Sequence, residues 1–294
     1  MRFALLLLVF FASRTLAAEP LPVVASFTIL ADFTQRVGGE RVKVSSLVGA
    51  NTDAHLYQPT PADARTLKAA RLVVINGLGF EGWLERLMKS SGFRGERVVA
   101  SRGVNTLEAG HSHHGHHHAD IDPHAWLDIA NAKVYVANIR DALIKADPAG
   151  EALYRDNAAK YLGELTALDE TIRAQLAALP AARRLVVSSH ESLAYFGRAY
   201  GVQFRAPLGR STEAGAAAGD LGSLIRQIRR DKIPAVFLEN ITDPRLLERV
   251  QKETGARLGG TLYSDALSPP SGPAPTYLAL MRHNAATLWA ALKD

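Results

Sequence analysis

Short apolar runs alternate with helix-like patterns along most of the chain. Residues 23–27, 42–48 and 72–76 are apolar runs of the length of a strand. Each is followed by a stretch in which apolar residues recur every three or four positions, as they do on one face of a helix. Strands and helices that take turns are typical of βα units around a parallel sheet, so we predict an α/β fold.

The second half of the chain repeats this order of elements. Strand-like runs at 185–189 and 235–240 take the places of the runs at 23–27 and 72–76, and similar helical stretches follow them. We therefore predict two similar α/β lobes that arose by duplication. The alternative interpretation is a chance recurrence of a common fold pattern.

A long helical stretch separates the two halves. Asp147-Pro148 is a helix start signal, and Pro180 is a stop signal. Between them runs one apolar stripe at spacings of three and four: Tyr154, Ala158, Tyr161, Leu165, Leu168, Ile172, Leu176 and Leu179. The pattern predicts a linking helix over 147–180, about 50 Å long, which would join the lobes more stiffly than a loop.

The first 18 residues have the features of a cleaved secretory signal peptide. Arg2 supplies a positive start, and residues 3–12 form an apolar run that is too short to span a bilayer. An uncleaved anchor is the alternative. We predict a signal peptide at 1–18, an N-terminal lobe at 19–146, the linking helix, and a C-terminal lobe at 181–294.

The composition excludes several kinds of chemistry. The chain has no cysteine, so we expect no disulfide, no thiolate metal site and no lipid-anchored cysteine. An exported protein of this size without cysteine indicates a bacterial periplasm, and we expect a monomer there. With 34 Lys and Arg against 29 Asp and Glu, and with no basic run, nucleic acid is not an expected partner.

Six of the ten histidines crowd into residues 111–118, namely His111, His113, His114, His116, His117 and His118. The run is internal and interrupted, unlike a purification tag. Such a density of His, Ser and Gly cannot build a core, which predicts a flexible loop at about 105–121. We expect its imidazoles to bind Zn²⁺ only weakly, as an accessory metal loop that catches or senses zinc, because each binding event must order the chain. A dispensable solvated loop is the alternative.

Three other histidines stand where ligand sites form in α/β folds. His190 directly follows a predicted strand, His55 lies in a loop after another, and His124 follows Pro123, which restricts the backbone. Carboxyl ends of parallel strands face the ligand crevice, and neutral imidazole is a preferred nitrogen donor for zinc. The remaining histidine, His283, lies in a C-terminal helical pattern and is predicted to have no ligand role.

Asp265 is the natural fourth ligand of such a site. It follows a predicted strand at 257–262, and one carboxylate with three imidazoles completes a tetrahedral zinc shell. Capping of the next helix is an equally good interpretation of Asp265. Asp53 and Glu213 are competing carboxylates, and Glu213 occupies in the second half roughly the place of His55 in the first.

Six segments carry a resemblance to a known family. In chain order, DAHLYQPTPAD, IDPHAWLD, VVSSHESLAYFGRAYGV, STEA, AVFLEN and GGTLYSDALS resemble the substrate-binding proteins of ABC importers for zinc and manganese, the cluster 9 (A-I) group. The resemblance covers essentially the whole mature chain. It implies two (β/α)4 lobes with parallel sheets, joined by one long rigid helix, with a metal ion in the cleft between them. It also implies His55, His124, His190 and Asp265 as the ligands.

The resemblance further implies a zinc-uptake protein. Manganese members of the family resemble one another in a ligand set of two histidines and two carboxylates, with Glu at the position of His190. A histidine-rich loop is typical of the zinc branch. Imidazole suits zinc, whereas manganese prefers oxygen donors. The implied role is capture of Zn²⁺ and its delivery to a membrane permease driven by an ATPase, with a periplasmic zinc chaperone as an open additional partner. Manganese or iron import by the same fold is the alternative.

One residue departs from the pattern of the zinc branch. Some zinc members resemble a pattern with Glu just before the first ligand histidine, where this chain has Ala54. The fourth ligand must then come from elsewhere, which leaves Asp265, Asp53 and water as candidates.

A zinc-dependent hydrolase is the alternative from another class. His190 and Glu191 begin an H-E-x-x-H motif, but Ala194 occupies the place of its second histidine. Four protein ligands would also leave no open position for a catalytic water. We therefore predict a binding protein and not an enzyme. A surface adhesin is a third possibility, which the lack of an anchoring cysteine disfavours.

Overall fold

The computed structural model describes residues 19–108, 121–214 and 218–294, which form two α/β lobes. The elements of the first lobe are β1 (Leu21–Ala25), α1 (Thr28–Gly38), β2 (Val42–Ser46), α2 (Pro61–Ala69), β3 (Leu72–Ile75), α3 (Leu84–Ser91), β4 (Glu96–Val99) and α4 (Ile129–Ala146). After the linking helix α5 (Glu151–Ala177), the second lobe contains β5 (Leu185–Val187), α6 (Ala194–Tyr200), β6 (Gln203–Arg205), α7 (Ala218–Asp231), β7 (Ala235–Glu239), α8 (Arg245–Thr254), β8 (Arg257–Leu262) and α9 (Tyr277–Leu292).

Both lobes have a four-stranded parallel sheet with the same topology. The strand orders are β2-β1-β3-β4 and β6-β5-β7-β8, so the first strand of each lobe lies inside its sheet. In the first sheet, Val23 of β1 pairs with Val44 on one side and with Leu72 on the other. All four residues of β3 are buried, as expected for a parallel strand that is covered on both faces. The predicted α/β fold, with two lobes that each contain a parallel sheet, is confirmed.

Several elements agree closely with the sequence patterns, and others had no counterpart there. The runs at 257–262 and 277–292 are β8 and α9. The sequence patterns did not predict the short strands β4 and β6 or the helix α4. The burial of β4 and β6 is partial, so their sequences lack the continuous apolar run of β3.

The linking helix is shorter than the predicted 147–180. Residues Pro148–Gly150 form a 3-10 turn, so α5 starts at Glu151 and extends about 40 Å. Arg41 donates to Asp147 over 2.8 Å, and Tyr154 donates to the same carboxylate over 2.5 Å, which holds this turn against the first lobe. The predicted apolar stripe from Tyr154 to Leu176 is buried. Within the described residues, no helix combines the length and the hydropathy needed to cross a bilayer.

The lobes share packing as well as a linker. One cluster of buried apolar residues extends from the first sheet along α5 into α9. The ring of Tyr277 in α9 lies 4.7 Å from that of Phe33 in α1, and its hydroxyl donates to the carbonyl of Trp126 over 2.6 Å. Trp126 in turn donates from Nε1 to the carbonyl of Ser264 over 2.9 Å. A shared apolar core of this kind favours small relative movements of the lobes.

Candidate metal centre

Four side chains from four separate loops meet in the cleft between the lobes. His55 follows β2, His124 follows β4, His190 follows β5 and Asp265 follows β8. Each can offer one ligand atom so that the four atoms lie within 4.8 Å of one another. Because parallel strands end at the same edge of a sheet, loops that are distant in sequence converge here. The structure thus brings together the four residues predicted as ligands, whose role as ligands remains a prediction.

The imidazoles present the same ring nitrogen to the centre. The Nε2 atoms of His190, His55 and His124 lie 3.2, 3.4 and 3.6 Å from oxygens of Asp265. The Nε2 atoms of His55 and His124 are 3.3 Å apart. The side chains of His124, His190 and Asp265 are fully buried, and that of His55 is 6% exposed. This arrangement can enclose one ion of small radius.

Both carboxylate oxygens of Asp265 are buried without a hydrogen-bond partner among the described residues. Two buried acceptors in this state are unfavourable unless a cation compensates them. The imidazoles approach them closely, but not with hydrogen-bond geometry. A divalent cation between the Nε2 atoms and the carboxylate would satisfy all of these groups at once.

The electrostatics of the centre also favour positive charge. Burial by itself disfavours the charged form of His124, but the carboxylates of Asp265 and Asp122 outweigh it and raise the pKa of His124 to about 9. Burial likewise disfavours the charged form of His190, but the carboxylates of Glu239 and Asp265 outweigh it and raise the pKa of His190 well above its ordinary value. Burial opposes ionisation of Asp265, yet the two imidazoles hold its pKa well below the ordinary value. These shifts favour the protonated rings, so a metal ion that bound here would displace protons.

Two carboxylates behind the histidines were not identified from the sequence. Asp122 accepts from the backbone N–H of His124 over 3.0 Å and lies 2.7 Å from its Nδ1. Glu239 accepts from the backbone N–H of His190 over 2.9 Å, and its other oxygen lies 2.8 Å from Nδ1 of that ring. Each carboxylate favours a proton on Nδ1 and leaves Nε2 free for a metal. The sequence signal available for Asp122 was its place two residues before His124. Only the tertiary fold brings Glu239 to His190.

The segment around His124 is fixed by hydrogen bonds and by aromatic packing. Asn76 donates from Nδ2 to the carbonyl of Pro123 over 3.0 Å, and Tyr135 donates to Asn76 over 2.5 Å. The ring of Trp126 lies 5.3 Å from that of His124. The first-lobe side of the centre is therefore held by Asn76, which directly follows β3, and by Tyr135 of α4.

The competing carboxylates lie outside the group of four. Glu213 is exposed and does not belong to it. Asp53 is engaged elsewhere, because one of its oxygens accepts from the backbone N–H of His55 over 2.8 Å and the other from the hydroxyl of Thr212 over 2.5 Å. His283 is partly buried in α9, with Nε2 2.9 Å from the carbonyl of Thr261. The histidine-rich run 111–118 and residues 1–18 lie outside the described residues.

Two α/β lobes that surround three imidazoles and one carboxylate define a metal-binding protein. The chain belongs to the family described as zinc-uptake complex component A, periplasmic (ZnuA), whose profile matches residues 23–291.

The chain is similar to proteins named for three different metals. It is 34% identical over 273 residues to the iron-binding protein YfeA of Yersinia pestis, covering 92% of this chain and 86% of that protein. It is 32% identical over 276 residues to the manganese-binding lipoprotein MntA of Halalkalibacterium halodurans, covering 94% and 90%. Its structure is similar to that of the periplasmic zinc binding protein TroA from Treponema pallidum, with a TM-score of 0.87, 28% identity, and coverage of 94% of this chain and 100% of TroA.

The family establishes the class of function. The protein is a metal-binding substrate-binding protein of an ABC importer, and its partners are the permease and the ATPase of that importer. It is not an enzyme, so the hydrolase alternative was wrong. The relatives differ in the metal they are named for, so the family leaves the cargo open among zinc, manganese and iron.

Proposed function

We propose that the protein captures Zn²⁺ through His55, His124, His190 and Asp265 and delivers it to the permease. The observation that carries this proposal is the donor set, in which three imidazole nitrogens and one carboxylate converge within 4.8 Å. Zinc accepts such a set in tetrahedral geometry, whereas manganese prefers oxygen donors. All four donors come from the protein, so the site is closed, as expected for binding rather than catalysis.

Manganese or iron import is the second candidate, and two observations favour it. The relatives YfeA and MntA are named as iron-binding and manganese-binding proteins. In addition, both oxygens of Asp265 lack a hydrogen bond within the described residues, so this carboxylate could bind through both. Five donors, two of them oxygens, would suit manganese or iron better than a tetrahedral set does.

Competition with a chromophoric chelator separates these candidates. We expect one tight zinc ion per chain and an affinity for Mn²⁺ at least about a hundredfold weaker, from the preference of imidazole for zinc over manganese. His283→Ala serves as a control that removes a histidine remote from the centre. Equal affinity for the two metals would favour the second candidate. Loss of tight binding in His283→Ala would contradict the proposed ligand set.

The accessory role of the histidine-rich run is a separate proposal. We propose that residues 111–118 bind further zinc weakly and raise its concentration near the cleft. A chain that lacks 111–118 should retain one tight zinc and lose only weak sites. Loss of all tight binding in this variant would mean that the run itself is the site.

The domain boundaries and the location of the protein are also proposals. We place the lobes at 19–146 and 181–294 and the linker at 147–180, and we propose a monomer that works in the periplasm after removal of residues 1–18. Several relatives are named as lipoproteins, whereas this sequence contains no cysteine. The absence of a lipid anchor therefore stays a prediction, which fractionation of cells into periplasm and membrane can test.

A further inference from the structure

His55 differs from the other two histidines in what holds it. Asp122 and Glu239 lie behind the Nδ1 atoms of His124 and His190. Among the described residues, no carboxylate forms an ion pair with Nδ1 of His55. Its ring instead lies at 4.7 Å, edge to face, from the ring of Phe80. His55 is therefore the ligand whose orientation depends most on the position of its own loop.

Asp53 connects that loop to the opposite lobe. Its Oδ1 atom accepts from the backbone N–H of His55 over 2.8 Å, as in a local turn. Its Oδ2 atom accepts from the hydroxyl of Thr212 over 2.5 Å. Thr212 belongs to the second lobe, between β6 and α7, so one carboxylate contacts both the main chain of a ligand and the far side of the cleft.

The start of the same loop is tied to the second lobe as well. The backbone N–H of Asn51 donates to the carbonyl of Leu267 over 3.0 Å, and its side chain accepts from Asn240 over 3.0 Å. Asn51 has a positive φ of 52°, which a non-glycine residue adopts at a cost and keeps when such contacts hold it. The loop that carries His55 thus spans the cleft with one anchor at Asn51 and a second at Asp53.

We propose that Asp53 is a positioning residue and that its hydrogen bond to Thr212 is a latch that holds His55 on the metal. When the lobes are closed at this point, the latch keeps the loop, and with it His55, beside Asp265. When Thr212 moves away, the loop loses its second anchor, and His55 leaves the metal before His124 and His190, which their own carboxylates hold. This inference rests on the proposed metal-binding role of the four residues.

The latch predicts an effect on dissociation rather than on association. The full chain, loaded with one equivalent of Zn²⁺, is mixed rapidly with an excess of chromophoric chelator, and the release rate is extrapolated to zero chelator. For Thr212→Val we expect release about tenfold faster, as for loss of a hydrogen bond to a charged group, with an unchanged association rate. Thr212→Ser keeps the hydroxyl and should release zinc at the original rate.

A matched control and a double variant separate the latch from general destabilisation. Thr166→Val removes a hydroxyl that donates only within α5, to Leu162, and should leave release unchanged. Asp53→Ala should accelerate release, and adding Thr212→Val to it should have no further effect, because both changes remove the same bond.

Two outcomes would overturn the inference, and they are distinguishable from each other. If the unaltered chain binds zinc tightly and Thr212→Val releases it at the same rate, the latch is absent while the proposed function stands. This conclusion would hold also if Thr212→Val merely lowered the thermal stability of the metal-free protein. If the unaltered chain binds no metal through the four residues, the proposed function and the latch both fail.

Discussion

The two lobes have the same sheet topology but differ in the residue that follows their first strand. Alignment of VVASF with VVSSH pairs Phe27, which follows β1, with His190, which follows β5. Phe27 is buried and packs its ring 5.0 Å from Phe80 and 4.9 Å from Trp126. His190 is equally buried but faces the carboxylates of Glu239 and Asp265. The same position thus holds an apolar ring in one lobe and a candidate metal ligand in the other.

Each lobe also contains a buried glutamate, and the contacts of the two glutamates differ in the same way. In the first lobe, Glu81 accepts from the hydroxyl of Ser26 over 2.6 Å and from the backbone N–H of Asn76 over 2.7 Å, and burial outweighs these bonds and raises its pKa. In the second lobe, burial also opposes ionisation of Glu239, but the imidazole of His190 prevails and lowers its pKa. Glu81 contacts a hydroxyl and main-chain N–H groups, whereas Glu239 also contacts the imidazole of a candidate ligand.

The comparison shows how a repeated fold can build an asymmetric site. The second lobe contributes His190 and Asp265, both fully buried. The first contributes His124 and His55, and the latter lies in a loop next to the exposed Leu56. Carboxylates therefore hold one candidate donor in each lobe, His124 and His190, whereas the less constrained His55 belongs to the first lobe alone.

Replacement of His190 by phenylalanine, the residue at the equivalent position of the first lobe, should have the largest effect on zinc affinity. His190→Phe removes one of four proposed ligands, and because zinc sites of this kind bind with about 10–16 kcal/mol, we expect affinity to fall by about a thousandfold or more. Chelator competition measures it, with His283→Ala as the control. Retention of tight zinc by His190→Phe would show that His190 is not a ligand and would remove the difference between the lobes.

The charge state of the centre predicts a pH dependence. Because protons held by His124 and His190 must leave, zinc affinity should rise by about tenfold per pH unit for each proton displaced between pH 6 and pH 8. The stability of the metal-free fold should change with pH in the opposite direction. The pKa of His124 is raised from 6.5 to about 9, so its stabilising effect is complete below about pH 6.5 and is lost as the pH rises through about 9. Isothermal titration and thermal unfolding at several pH values test the two signs, and an affinity that does not vary with pH would contradict this assignment of charge.

The two buried glutamates should respond differently to neutralisation. Glu239→Gln removes the charge behind His190, and we expect zinc affinity to fall by about 10–100-fold, as is typical for partners of metal ligands. Glu81→Gln, which changes a carboxyl that contacts Ser26 and main-chain N–H groups, should leave zinc affinity within a few-fold. Equal losses of affinity in the two variants would mean that the lobes do not differ in this respect.

The smallest expected effect concerns support of the adjustable loop. Trp83 donates from Nε1 to the carbonyl of Ala54 over 2.8 Å, next to His55. Trp83→Phe keeps most of the ring but removes this bond, and we expect about a fivefold loss of zinc affinity, corresponding to about 1 kcal/mol for one hydrogen bond. Trp289→Phe, a change in the partly buried Trp289 of α9, is the control. No change in the Trp83 variant would show that Asp53 and Asn51 suffice to hold the loop.

Sequence patterns were most informative where one residue type and one period determine the local structure. The apolar stripe of α5, the apolar runs of β1 and β3 and the long pattern of α9 could be predicted because their burial is nearly continuous on one face or on both. The partly buried strands β4 and β6 could not, because short strands with exposed residues have no clear period. The resemblance of the six motif segments also predicted His55, His124, His190 and Asp265 as one set, whereas the residues by themselves left Asp53 and Glu213 as competing carboxylates.

Local sequence thus determined which residues are suited to bind a metal, since imidazole and carboxylate chemistry is a property of the side chain itself. Tertiary structure decided which of them meet. Asp53 and Asp265 were both candidates for the fourth donor, yet Asp53 contacts Thr212, and Asp265 faces three histidines. Glu239 lies 49 residues from His190 in the chain and reaches it only because β5 and β7 are neighbours in one sheet. Contacts of this range depend on the pairing of strands, which no local pattern encodes.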